Sequence, residues 1–594
     1  MRSLSKVGPR RWTTGMLLAT VGSAAVTLNV TGCKSPLAPM SDQAARRAVL
    51  NDYRQAMSAI EAEAQVTLSR EPSAVEEELT DERREELDKM AGPVAYEEDK
   101  AELGFDLTGS EAASTVELAL PDALQMAAQN NLTLSVARLS PKIAAEEITQ
   151  AEAVFDWVFF ANASWQDLDT PQPPGAVTGL SGDTQQENIV LETGLRKATT
   201  LGTQVQIDTR LRRLEQTPSF FTVSDYYDAD VGVSVTQPLL RNFGQATNEA
   251  SIRIAENTRE AEVQTLRQTL MDVLLATESA YWNLRFSKQR LLIRQRQLAR
   301  TVELRDKVKA RLGFDAPPAS LTDANARVEL RRSDVIIARV LVRQASDELK
   351  RVINSPDLSV VGETVLVPTT EPGKSPITFS LLDEVTTALQ SRPELLASLS
   401  GIRSAEQLRI VAENAELPLL DLTLGAELSG INFTDDDVAE AYEALGELNY
   451  IDYLVGIAFE RPLGNRSAEA LTRQRRFEQQ QSVQDYRRQS QDVVVEVKDA
   501  LRDVMTSYEL VGAQRASRRA AADALRVLQV EQDAGAALTP DFIDRKLQAQ
   551  DRLADIEIGE VEAIANYNIA LAERERATGT LLRREGLEVE PRGR

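Results

Sequence analysis

From Gln245 to Arg311 the chain runs 67 residues without glycine or proline, and small or apolar positions recur every three or four residues (Leu266, Leu270, Val273, Thr277, Ala280, Leu284). Arg, Glu and Gln fill the remaining faces, which is the pattern of a helix packed along one side and wet on the other. Uninterrupted, it would be about 100 Å long. Immediately before it, Val231–Leu240 alternates apolar and polar residues and reaches Pro238, as a strand does at its end. A second long helix is expected from about Asn465 to Asp533 after the Arg461-Pro462-Leu463 segment. Both helices run to a glycine, Gly313 and Gly535, where the backbone can reverse into return helices over 320–354 and 539–582.

The two arrangements are copies. Residues 118–162 and 379–423 align at a constant offset of 261: Leu120–Leu124 with Leu381–Val385, and Ala127, Gln129, Ala151 and Glu152 with Ala388, Gln390, Ala412 and Glu413. Each copy begins with a short helix and a second helix, from about Leu132 and Pro393. Each then passes into strands, Val154–Trp165 in the first copy, Leu417–Leu428 and Ile451–Glu460 in the second. The first copy carries about 37 extra residues, including Asn188–Lys197 and Thr203–Arg213 around Thr199–Gly202, which read as an added hairpin. The sequence leaves open whether that hairpin joins the other strands or forms an external lobe. A repeat of this length marks a duplicated architecture rather than a solenoid.

Alternating segments of about 9–11 residues suffice to cross a bilayer as tilted strands, and no run of about 18 apolar residues follows the N-terminus to offer a helical span. Trp157, Trp165, Tyr453 and Phe459 suit lipid-facing or packed positions better than a ligand site. The acidic stretch Asp435–Leu448 separates two strands as an extracellular loop would. A few strands per copy cannot close a barrel, and lipid does not tolerate open edges. Strands in a membrane therefore require several chains.

Chemistry narrows the rest. The chain has no histidine and a net charge of −24. The first removes the commonest general base and metal ligand, and the second disfavours nucleic acid. No phosphate-binding glycine loop occurs, so no enzyme, cofactor or metal site is expected. The N-terminus has Arg2, Lys6, Arg10 and Arg11 before an apolar stretch from Thr13 to about Val30, an export signal. It ends Val30-Thr31-Gly32-Cys33, which resembles the lipobox of bacterial lipoproteins. In that family the chain is cleaved before the cysteine, here the only one, and Cys33 is lipid-modified. Residues 41–106 hold 18 Asp/Glu against 8 Lys/Arg and read as a helix followed by a solvated tether.

The duplicated helix–strand–strand–long-helix order, the Pro238 and Pro462 exits and the two Gly-containing tips resemble the TolC-like outer-membrane efflux proteins, lipoprotein branch, over about Thr115 to Leu582. The resemblance implies an α+β membrane protein: a homotrimeric outer-membrane β-barrel, four strands per chain and twelve in all, continued by a long periplasmic α-helical coiled-coil barrel. The domains are then a signal (1–32), an acidic N-terminal tether (33–114), a first repeat (115–354), a linker (355–376), a second repeat (377–582) and a tail (583–594). The implied function is a passive duct that receives substrate from an inner-membrane pump through a periplasmic membrane-fusion adaptor. The tips, with Gly313, Asp323, Gly535 and Asp541, dock the adaptor, although the first is some four residues longer between its glycine and Asp323. Glu531, Asp533 and Asp541 are candidates for an acidic ring at the entrance, with ordinary solvated acids near a helix end as the simpler reading. Two alternatives stand: a coiled-coil envelope lipoprotein that transports nothing, and the outer-membrane component of type I protein secretion.

Overall fold

The computed structural model describes residues 40–587 apart from 59–63, 71–72, 97–100, 110–113, 172–183, 218–224, 315 and 433–437. The signal, Cys33, the acidic runs 97–99 and 435–437 and the end of the tail lie outside the described residues.

The described chain begins with α1 (Asp42–Ser58), β1 (Gln65–Thr67), α2 (Ala74–Glu78) and α3 (Asp81–Met90), the segment expected to be a helix and a solvated tether. The structure corrects the tether. Leu87, Ala91 and Tyr96 are buried against the long helices, in clusters with Ala521, Ala522, Leu525 and Leu553 and with Leu292, Ile293 and Ala554. The acidic composition hid this docking because a few scattered apolar side chains carry it, with Ala45, Val49, Met57 and Leu68 buried as well. The surrounding acids are not merely solvated: Asp88 is held by Arg518 and Arg519, and Arg83 by Asp523.

The first repeat follows as β2 (Thr115–Leu118), α4 (Leu120–Asn130), α5 (Leu132–Ala137), α6 (Ser140–Glu152), β3 (Val158–Thr170), β4 (Thr184–Ala198), β5 (Gln204–Thr217), β6 (Asp225–Pro238), α7 (Gln245–Asn248), α8 (Ala250–Ala310) and α9 (Pro318–Ile353). The second has β7 (Val365–Pro368), β8 (Thr378–Ser380), α10 (Leu381–Ser391), α11 (Pro393–Ala415), β9 (Leu419–Asn432), α12 (Val438–Gly446), β10 (Ile451–Glu460), α13 (Arg466–Asp533), α14 (Pro540–Thr578) and α15 (Leu581–Arg584). The long helices are 61 and 68 residues. Each packs against its return helix, α8 on α9 and α13 on α14, and α11 bridges α8 and α13.

Two boundaries differ from the sequence reading. The long helix of the first repeat is interrupted at Glu249, and its opening strand starts at Val158 because Ala153–Phe155 coils into a 3₁₀ turn. The loop before β10 also contains α12, whose Ala441 is fully buried.

The larger correction concerns the sheet. Its order is β10-β9-β6-β5-β4-β3, all antiparallel, so the extra hairpin of the first repeat (β4 and β5) lies inside the sheet and each chain supplies six strands rather than four. The two repeats meet at β6 and β9.

Midway, Tyr281 ties the short strands to the helices. Its hydroxyl donates to the Leu118 carbonyl at 3.0 Å and accepts from the backbone N–H of Thr369 and Thr370 at 3.0 and 2.9 Å.

Candidate conduit: the two-faced sheet and the helical tips

Register assigns each sheet residue to one of two faces, because side chains alternate along a strand and partners across it share a side. One face carries Phe159, Ala161, Ala163 and Trp165 from β3, Ile189, Leu191 and Leu195 from β4, and Val205, Ile207 and Leu211 from β5. It continues with Val231, Val233 and Val235 from β6, Leu422, Leu424, Ala426 and Leu428 from β9, and Ile451, Tyr453, Val455, Ile457 and Phe459 from β10. These residues are exposed or half-buried across all six strands, with Tyr453 at 78% and Val455 and Ile457 at 73%. An apolar patch this continuous lies far beyond what a water-facing surface carries. From Ile451 to Phe459 it runs about 27 Å along the strand, the scale of an outward apolar band about 25 Å tall. Among the described residues no helix is long and apolar enough to cross a membrane.

The opposite face is polar and charged. Arg210 on β5 pairs with Asp230 at 2.8 Å and with Glu427 of β9 at 2.7 Å, and Arg212 pairs with Asp228 at 2.8 Å. Gln206, Asp208, Ser234, Thr236 and Thr423 extend it toward the helices. Cross-strand pairs of opposite charge stabilise this side of the sheet, and a polar interior is what a water-filled barrel presents.

Two prolines stand at the ends of β6 and β10. Pro238 is the last residue of β6, yet pairing continues one residue further, since the Leu239 N–H donates to the Leu420 carbonyl at 2.7 Å. Proline removes only its own donor, so it weakens the ladder there without ending it. Pro462 follows β10, and the chain enters α13 through Asn465 in the left-handed region, its amide donating to the Glu416 carbonyl at 2.9 Å.

At the far end the two tips come together. Gly313 and Gly535 have φ of +81° and +95°, which glycine adopts at no steric cost, and both reversals depend on it. Leu304, Val308 and Ala316 of the first hairpin pack with Leu538, Phe542, Ile543 and Leu547 of the second. Thr539 caps α14, its hydroxyl accepting from the Phe542 N–H. Asp323 lies inside α9, exposed, 3.9 Å from Arg327, and Asp541 sits in the first turn of α14, 3.1 Å from Arg545. Glu531 and Asp533 are exposed at the end of α13. All four carboxylates therefore share the tip end of the molecule. Sequence reasoning missed Lys546, buried there and bonded to Gln532. Burial, with Lys307 beside it, lowers the Lys546 pKa against the pull of Glu303 and Asp533.

Comparison with known proteins agrees with this geometry. Residues 385–580 match the family described as outer membrane efflux protein. The chain is 26% identical over 206 residues to the alkaline protease secretion protein AprF of Pseudomonas aeruginosa, an alignment spanning 34% of this chain and 41% of that protein. In fold it resembles a membrane protein from Pseudomonas aeruginosa (TM-score 0.56, 18% identity, 77% of this chain and 93% of that one). It also resembles the CmeC outer membrane channel of Campylobacter jejuni (TM-score 0.55, 15% identity, 81% and 92%).

Proposed function

We propose that this chain, whose residues 385–580 match the outer membrane efflux protein family and whose fold resembles that of an outer membrane channel, is the passive outer-membrane exit duct of a tripartite efflux or secretion system. The observation that carries the reading is the pairing, in one chain, of a sheet with one apolar and one charged face and helices long enough to leave the membrane far behind. Three copies form the duct, anchored through a lipid on Cys33, with the sheets in the outer membrane and the hairpins in the periplasm. The tips bearing Gly313, Asp323, Gly535 and Asp541 meet a periplasmic adaptor, which joins the duct to an inner-membrane pump. Glu531, Asp533 and Asp541 of three chains form an acidic ring at the entrance, favouring cations.

The work of such a duct is geometric and electrostatic. The duct reading needs no catalytic residue, because the energy enters at the pump. The likeness to an alkaline protease secretion protein supports export of proteins as a second reading, in which the same wall carries a different cargo. A coiled-coil scaffold without transport leaves the apolar sheet face without a purpose.

Single-channel recording of the purified full-length protein in planar bilayers tests the proposal. Discrete conductance steps, with cation block changed by Asp533→Ala or Asp541→Ala, are the expected result. A protein that runs as a monomer, lacks heat-labile β-structure and carries no current would return the chain to the scaffold reading.

A further inference from the structure

The sheet ends in two strands that have a partner on one side only, β3 and β10. Nearly every residue of both is exposed, whereas the four inner strands are mostly half-buried. The six strands alternate in direction, so β10 of one copy runs antiparallel to β3 of the next, and cyclic repetition preserves the pattern. Continuity of the apolar face restricts the register further. Odd-numbered residues face lipid on both edges, so only an even offset keeps Trp165 and Tyr453 on the same side.

The shift between copies follows from the ladder. Val158 on β3 lies level with Arg196, Gln206, Ser234, Gly425 and finally Leu454 on β10. Pairing Leu454 with the neighbour's Val158 would leave most of β10 unpaired, because the chain before Val158 is a 3₁₀ turn. Moving the contact six residues along, so that Leu454 meets Ser164, pairs every residue of β10. An offset of six residues over six strands tilts them by about 35°, within the 35–45° of membrane barrels. An offset of four gives about 25° and falls outside that range. Eight fits the tilt but sets both Ile451 and Tyr453 opposite acids, Asp169 and Asp167, where six sets only Ile451 opposite an acid, Asp167. At six, Tyr453 faces Trp165 and Phe459 faces Phe159, aromatic pairs that favour this register.

Resting on the duct reading above, we propose that three copies close edge to edge, β10 on β3 with Leu454 opposite Ser164, into an eighteen-stranded barrel. Its backbone radius is about 17 Å, against about 11 Å for twelve strands at the same tilt. The β4–β5 hairpin is the element that widens it. Without the hairpin, β3 and β6 would still be antiparallel with matching faces, so the insertion adds width and leaves the alternation intact. The added strands carry Arg210 and Arg212, whose ion pairs to β6 and β9 line the wider lumen. The outer mouth is therefore matched to bulky or folded cargo rather than to small molecules alone.

Paired cysteines in the full-length protein test the register, with single variants controlling for Cys33. Residues opposite one another in an antiparallel pair meet the geometry of a disulfide, and positions displaced by two do not. Leu454→Cys with Ser164→Cys is expected to give covalent trimers on non-reducing gels, at least tenfold more than Leu454→Cys with Asn162→Cys or Gln166→Cys. Trimers at one of those other positions instead would overturn the register. Absence of links in all three pairs, from a protein that sediments as a trimer, would overturn closure through these edges. A monomer by sedimentation would remove the duct reading itself. Electron cryo-microscopy in lipid nanodiscs checks the count: eighteen strands are expected, and twelve with β4–β5 outside the wall would overturn the proposal.

Discussion

Arg518 offers the sharpest perturbation of the helical part. Its side chain is 2% exposed and is bonded to Glu560 of α14, itself 2% exposed, to the Ala91 carbonyl, and to Asp88 of α3 at 2.8 Å. One guanidinium thus joins α13, α14 and the N-terminal segment. Arg518→Ala strands a buried carboxylate, a change that costs about 3–5 kcal/mol. Arg515 stands 3.3 Å from Glu560 and takes over part of the charge, so the lower end applies. At about 1.4 kcal/mol per factor of ten, 3 kcal/mol is roughly a hundredfold loss of amide protection. Hydrogen exchange should show it in α3 and in α13 and α14 near residues 518 and 560, with α10 and α11 unchanged. Arg518→Met with Glu560→Gln removes both charges and should restore α13 and α14 to within about 1–2 kcal/mol. Protection of α3 should stay reduced, because Asp88 keeps only Arg519 and Ala91 loses its donor. A change below fivefold in the single variant, or a double variant as damaged along α13 and α14 as the single one, would refute the reasoning.

Glu575 gives a pH prediction: burial, with Glu585 and Glu384 adding to it against Arg574, raises its pKa to about 7. An unfolded carboxylate titrates near about 4.3, so the folded chain keeps a proton the unfolded one has lost, and stability falls as pH rises from about 4.3 to 7. Glu575→Gln should flatten that part of the heat-dissociation profile, and an unchanged slope between pH 5 and 7 would contradict the assignment. On the sheet, Leu424→Arg faces lipid and should cost about 2–4 kcal/mol at mid-bilayer, whereas Thr423→Arg one residue away faces the lumen and should cost little. Heat dissociation of the two variants in lipid measures the difference, and equal effects would refute the assignment of faces. At the second tip, Gly535→Val forces a β-branched residue to φ +95° and should lower protection locally by about 1–3 kcal/mol, with the sheet unaffected by hydrogen exchange.

Sequence reading reached most of the architecture because helix and strand periods are strong over long segments. The second long helix and the β10 strand fell where periodicity put them, and the first long helix did so apart from the interruption at Glu249. The number of strands per chain did not, since nothing local in Asn188–Lys197 distinguishes a strand inserted in a sheet from one in a lobe. Only the pairing of Val158 with Arg196 and of Gln206 with Ser234 decides it. The N-terminal segment was misread as a tether for the opposite reason. Its dominant signal was charge, while its docking depends on Leu87, Ala91 and Tyr96 and on salt bridges whose partners lie more than 400 residues away. Lys546 at the tip left no trace at all, because one lysine on a helix surface looks like any other until a neighbouring helix covers it.

A membrane duct requires the apolar sheet face to meet lipid, and the tryptophans report on it directly. Of Trp12, Trp157, Trp165 and Trp282, Trp165 lies on that face at 65% exposure and Trp282 is buried among the helices at 4%. Single-tryptophan variants of the full-length protein, reconstituted with lipids brominated along the acyl chain, separate the two by fluorescence quenching. Strong quenching of Trp165 with none of Trp282 is the predicted result. Trp165 fluorescence indifferent to brominated lipid, in protein shown to be reconstituted, would contradict the claim that this sheet is the wall of a membrane duct.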